Sequence, residues 1–327
     1  MLLRNWFLSG LRAASLAIVA LLAMLAADTA DVGADEPLMD VLAASLARQE
    51  AAACADDEEE RCSYGPCDGQ PRGTLFQWSY GTSFSGGPDL DEPLVTDRPD
   101  FTEASVTVGR GVLQIEAGYT YAYDQNAGTV THSFPECLFR YGIFADWLEL
   151  RIGQSAAGED DGVLVNNSSA EDLYLGLKIA LTPQEGWLPE MALMPQMTLP
   201  TGHDDFSSDQ VLPGLNWLYG WDINDFLSMG GSTQFNATVD EESNRIYTEW
   251  AQSWTIGYSL TEKLGAYTEW FAFFPQGAES ALPQHYIDGG FTYLITDNVQ
   301  WDIRAGVGLN EAADDYFVGS GLSVRFK

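Results

Sequence analysis

From residue 112 onward, apolar and polar positions alternate. Leu113, Ile115, Ala117, Tyr119, Tyr121 and Tyr123 stand against Gln114, Glu116, Gly118, Thr120 and Asp124. Leu148, Leu150 and Ile152 oppose Glu149, Arg151 and Gly153; Leu173, Leu175, Leu177 and Ile179 oppose Asp172, Gly176 and Lys178. Val299, Trp301, Ile303, Ala305 and Val307 oppose Gln300, Asp302, Arg304 and Gly306. In the last run, Tyr316, Val318, Leu322, Val324 and Phe326 oppose Phe317, Gly319, Gly321, Ser323 and Arg325. Successive side chains of a strand point to opposite faces, so a period of two predicts strands with one apolar face.

Twelve such strands are expected, near 112–124, 129–141, 147–154, 171–181, 190–200, 211–221, 226–237, 246–260, 264–274, 284–294, 299–309 and 316–326. The connections after strands 2, 4, 6, 8 and 10 are mostly tight. Those after strands 3, 5, 7, 9 and 11, beginning with residues 155–170, are longer and acidic. Short turns on one side and longer loops on the other, with an even strand count, form the pattern of an outer-membrane barrel with both termini in the periplasm. The fold class expected is therefore all-β, a transmembrane antiparallel up-and-down barrel of about twelve strands. Strand 12 closes on strand 1 and leaves no edge.

Composition narrows the reading. Lys and Arg number 15 against 48 Asp and Glu, a net charge of −33. Nucleic acid is excluded as a partner, because phosphate binding needs a basic surface. The polar faces hold ionisable groups set among glycines, unlike the outer face of a soluble sandwich. The lumen-lining set expected from parity includes Glu116, Glu136, Arg140, Glu149, Arg151, Asp172, Lys178, Glu269, Asp288, Asp302, Arg304 and Arg325. These charges either orient solutes or fill a narrow barrel with ion pairs. Tyr119, Tyr121, Tyr123, Trp217, Trp301 and Phe326 read as interfacial girdles on the lipid face. The outer loops carry Glu159-Asp160-Asp161, Asp204-Asp205 and Asp240-Glu241-Glu242, a negative rim that attracts divalent cations.

Upstream the chain changes character. Residues 1–34, with Arg4 and Arg12 ahead of the apolar Ala13–Ala27, read as a secretory signal peptide. Residues 35–95 read as an acidic, largely disordered periplasmic extension with a short helix after Pro37. Cys62 and Cys67 are disulfide candidates in an oxidising compartment; Cys137 falls in a strand and is expected to be unpaired.

The run Thr96-Asp97-Arg98-Pro99-Asp100-Phe101-Thr102-Glu103 leads into Leu113–Tyr119. With Leu199-Pro200-Thr201-Gly202 and Gly319–Phe326, it resembles the outer-membrane family described by a meta-pathway of phenol degradation. The resemblance spans about 94–327 and implies a transporter-like barrel admitting small aromatic or other hydrophobic compounds. Its implied partners are outer-membrane lipid, the barrel-insertion machinery and a small-molecule solute. The segment Asp97, Arg98, Pro99, Asp100 and Phe101 stands at the expected periplasmic opening. It either gates that opening or fixes the chain's approach to strand 1. No cofactor is expected. Two alternatives compete with passive solute passage: a closed structural barrel, and an outer-membrane lipid hydrolase. For the hydrolase, His132 and Ser133 point to opposite faces of a strand. His203 near Ser207 and Ser208 carries no nucleophile–base signature.

Overall fold

The structure of the protein, a computed structural model, describes residues 75–77, 81–82, 90 and 92–327, except 127, 161–164, 205 and 241. The expected signal peptide, the helix after Pro37 and the Cys62–Cys67 pair lie outside the described residues. Phe76–Gln77 and Gly81–Thr82 form a small antiparallel ladder.

Twelve antiparallel strands follow. They are β1 (Leu113–Asp124), β2 (Thr129–Ser133, resumed as Cys137–Gly142), β3 (Leu148–Gln154, resumed as Ala156–Asp160) and β4 (Val165–Ala170, resumed as Leu173–Thr182). Next come β5 (Glu190–Leu199), β6 (Leu212–Asn224), β7 (Leu227–Val239) and β8 (Ile246–Ser259). The last four are β9 (Leu264–Gln276), β10 (Gln284–Thr296), β11 (Val299–Gly308) and β12 (Tyr316–Phe326). Each pairs with its sequence neighbours. β12 closes on β1 in continuous register, from Tyr316 opposite Tyr123 to Phe326 opposite Leu113. Closure pairs the two strands that would otherwise expose unsatisfied backbone to lipid.

The burial pattern is inverted relative to a water-soluble protein. Leu215, Trp217, Phe235, Ile287, Phe291, Ile303, Val318 and Leu322 are exposed on the outside; Phe235 leaves 51% of its surface uncovered. On the inner face, Asn216, Ser232, Ser253, Asp302 and Ser323 are completely buried. A continuous exposed apolar belt of this kind would aggregate in water, whereas hydrocarbon is its proper solvent.

Residues 155–170, expected as an outer loop, are mostly strand: they extend β3 and β4 as a hairpin. Their polar sequence carries no period-2 signal, which is why the alternation did not reach them. Phe134–Glu136, Ser155 and Glu171–Asp172 interrupt β2, β3 and β4 at one level, with Glu136 at a positive φ of 45°. The freed backbone groups remain paired: Phe134 and Ala156 exchange two hydrogen bonds, and Glu171 N donates to Ser155 O at 3.0 Å.

Candidate functional site

The barrel interior is occupied by the chain that precedes β1. Residues 92–112 enter at the periplasmic end, where Leu94 N donates to Asp297 O in the β10–β11 turn and Arg325 binds the carbonyls of Leu90 and Glu92. The segment rises to Phe101. It then descends past Ser105, which donates to Glu190 at the start of β5. At the periplasmic β2–β3 turn, Thr107 donates to Asp146 O. Leu94, Asp97, Thr102, Thr107 and Val108 are all buried.

An irregular chain inside a barrel has no ladder partner, yet its backbone groups must be satisfied. The inward charges of the wall do this. The Glu116 carboxylate accepts from Asp97 N and Arg98 N at 3.0–3.1 Å, and Glu149 accepts from Val108 N at 2.9 Å. Glu269 accepts from Phe101 N at 2.6 Å and Thr102 N at 2.7 Å. In the other sense, Arg140 donates to Val95 O and Val106 O, Arg304 to Pro99 O, and Lys178 to Ala104 O.

Asp97 is the hub. Its carboxylate accepts from Lys178 Nζ at 2.7 Å, pairs with Arg140 at 3.3 Å and with Arg151, and also accepts from Ala104 N. Arg140 pairs with Glu116 and Glu149; Arg151 pairs with Glu149 and Glu103. Arg140, Glu116, Glu149 and Lys178 are wholly buried. Arg98 forms a second knot, with Glu136 at 2.8 Å and Asp302 at 3.3 Å. Its guanidinium fills the space that a Cβ would take at Gly118 of β1 and Gly321 of β12. These two inner-face glycines admit the arginine, as Gly153 and Gly176 admit Tyr174 and Gly306 admits Phe317.

Of the residues expected on the inner face, Glu116, Arg140, Glu149, Arg151 and Lys178 meet in one network. Glu269, Asp302 and Arg304 hold other parts of the same segment, and Arg325 holds its lower end. Asp172 faces an inner cavity that Glu103, Arg151 and Tyr174 also line. It accepts from Gly202 N at 3.1 Å and from Ser208 N and Oγ, tying β4 to the loop after β5. It lies in the interruption of β4, where the alternation that placed the others is broken.

The sequence reading gave the aromatics an interfacial role and did not draw out an inner group. Phe271 and Phe273 of β9, Tyr286 of β10 and Phe317 of β12 cluster inside the wall. Phe101 stacks on Phe271 with centroids 4.7 Å apart and meets Phe273 edge-on at 5.3 Å. Parity carried the signal, since Tyr286 shares the inward face with Asp288. Above the segment, a cavity of about 490 Å³ reaches the outer loop through Phe206 and Ser208. It is lined by Glu103, Glu136, Arg151, Glu171 and Tyr174 among others.

At the rim, carboxylates accept backbone donors. Asp240 receives Ser243 N and Oγ on one oxygen and Glu279 N, Ser280 N and Oγ on the other. These bonds, led by the backbone N–H of Ser280 and then of Ser243, hold its carboxyl well below the usual range. Among the described residues, no group of three or more His, Cys, Asp or Glu side chains is placed to hold a metal ion. His132 Nδ1 is hydrogen-bonded to Tyr119 at 2.7 Å, and Ser133 to Ser155 at 2.9 Å, so the adjacent His and Ser serve different neighbours.

A closed twelve-stranded barrel with an apolar belt and a polar interior defines the class: an outer-membrane β-barrel protein. Residues 96–326 match the family described as "Putative MetA-pathway of phenol degradation", and the chain belongs to that family. Among solved structures, an outer membrane channel from Pseudomonas putida F1 is 11% identical, with a TM-score of 0.53, covering 70% of this chain and 100% of that one. The KdgM porin is also 11% identical, at a TM-score of 0.43 over 65% of this chain and 99% of that chain. The CymD monoaromatic hydrocarbon channel is 7% identical, at 0.37 over 66% and 88%. No curated protein matches the sequence.

Proposed function

We propose that the protein is an outer-membrane channel for passive passage of small aromatic or hydrophobic solutes, closed at rest by residues 92–112. One observation carries this reading. Between Val95 and Val108 the segment is bound to the wall through side chains, not through a β-ladder. It can therefore leave the lumen without opening the barrel wall. The cavity above it is of a size suited to a small molecule, and the inner aromatic cluster offers ring faces along the path. The family's description, phenol degradation, agrees with an aromatic solute.

Breaking one buried ion pair costs about 3–5 kcal/mol. A spontaneously displaced segment is thus populated at about 1% or less, and the resting state is closed. The same buried network favours the second reading, a permanently filled structural barrel. Planar-bilayer recording of the purified protein beside a variant lacking residues 94–108 separates the two. The channel reading expects low, intermittent conductance from the full chain and a steady large conductance from the variant. A full chain that never conducts and does not raise phenol entry into liposomes above the protein-free rate sinks it.

A further inference from the structure

Glu269 of β9 and Asp288 of β10 are register partners, 2% and 6% exposed, and both face the lumen. Directly opposed side chains have their Cβ atoms about 4.5–5.5 Å apart, where like charges repel. The carboxylates on the opposite side of the lumen are matched by Arg140, Arg151 and Lys178. Among the described residues, neither Glu269 nor Asp288 forms an ion pair.

Their hydrogen bonds are unequal. Glu269 accepts from Phe101 N, Thr102 N and, at 2.5 Å, Thr102 Oγ1, so both of its oxygens serve as acceptors. Asp288 Oδ2 accepts from Tyr267 O–H at 2.8 Å. Asp288 Oδ1 is buried with no partner. A buried carboxylate oxygen without a donor is costly; the same oxygen carrying a proton is a donor aimed at its neighbour.

The surroundings of Asp288 can be named element by element. β9 presents Glu269 and Tyr267. β11 presents Gly306 in register and Arg304 two pairs along. Arg304 commits its Nη groups to Pro99 O and Thr120 Oγ1 and lies 5.4 Å from the Phe317 ring of β12. From β8, Thr255 stands opposite Glu269. The inner segment brings a third carboxylate, Asp100, within electrostatic reach.

We propose that Glu269 and Asp288 form a proton-binding site: they share one proton between Asp288 Oδ1 and the Glu269 carboxylate, and this proton latches the inner segment. With it, Glu269 remains a compact acceptor for the Phe101–Thr102 turn. Without it, two adjacent anions and Asp100 repel, and the turn held by Glu269 is released. The latched state binds one proton more than the released state, so latching is favoured at low pH and lost as pH rises. The effect on flow rests on the channel reading; the latch itself does not.

The test is hydrogen exchange of the Phe101 and Thr102 amides in the detergent-solubilised full chain, expressed as protection relative to the unfolded peptide at each pH. Protection is expected to fall about tenfold or more as pH rises above about 4, the ordinary carboxylate value, the effect of one pK unit of difference between the two states. Asp288→Asn keeps a neutral donor and is expected to hold protection flat across that range. A wild-type profile that is flat, or an Asp288→Asn profile that falls like wild type, overturns the proposal. If Asp288→Asn fails to fold, Tyr267→Phe decides. Loss of the hydroxyl that favours the anion moves the fall to higher pH, and no movement or movement to lower pH overturns it. Bilayer conductance is measured in parallel: release of the segment with no gain in conductance counts against the channel reading and leaves the latch standing.

Discussion

Asp97 concentrates the problem of the lumen in one side chain. Three cations, Arg140, Arg151 and Lys178, and the Ala104 amide converge on it. Asp97→Asn removes a negative charge that three buried cations share. Breaking a buried pair is worth about 3–5 kcal/mol, and because Asp97 belongs to the inner segment and not to a strand of the wall, the loss is expected to fall on seating rather than on the barrel. Protease cutting within 92–112 should rise sharply while heat-modifiable gel migration persists. Loss of the folded barrel band would show instead that the network holds the wall together. Gly321 makes a different point at the same scale. A methyl group there overlaps the Arg98 guanidinium, so Gly321→Ala is expected to displace Arg98 from Asp302 and cost about 1–3 kcal/mol, as overpacking does. Urea unfolding in detergent measures it. Alternation alone placed Glu116, Arg140 and Lys178 on one face. It could not tell that Gly118 and Gly321 make room for an arginine some 20 and 220 residues away in sequence, because that depends on which chain enters the lumen.

At the scale of elements, the strands were legible because lipid on one side and a polar interior on the other impose a strict period of two. The exceptions are physical. β3 and β4 run on through Ala156–Asp160 and Val165–Ala170, where the sequence does not alternate, and the ladder breaks at Glu171–Asp172 although Asp172 still lines the inner cavity beside Arg151 and Tyr174. The acidic outer loops were expected to attract divalent cations; in the structure Asp240 spends both oxygens on donors of its own loop and the next one. Its depressed carboxyl stabilises that junction fully above the unfolded value near 4, and the contribution is lost as pH falls through the lower folded value. Asp240→Ala is therefore expected to expose the 277–283 loop to protease at neutral pH, while the wild type does so only in strong acid. Equal cutting of both proteins at neutral pH would count against the junction.

For the whole molecule, closure is the decisive contact. β12 pairs along its full length with β1, and unpaired backbone in hydrocarbon costs several kcal/mol per group. Deleting Val324–Lys327 removes rungs of that seam and the Arg325 bonds that hold the incoming chain at Leu90 and Glu92. The truncated protein is expected to fail to reach the outer membrane. Its appearance there in heat-modifiable form would contradict the seam's role.

The sequence by itself determined the barrel: strand number, the order of connections, the lipid face and the inward parity of most charges. All of these follow from short-range alternation between two solvents. Only the tertiary structure decided what the inward charges face. Before the barrel closes, Asp97 to Glu103 is an irregular polar run with no period, and nothing local says where it goes. Closure creates a narrow polar interior with unmatched wall charges, and the run's own backbone and side chains are what satisfy them. The seat for Phe101 and the knot around Asp97 both arise from that long-range fit, which no local pattern encodes.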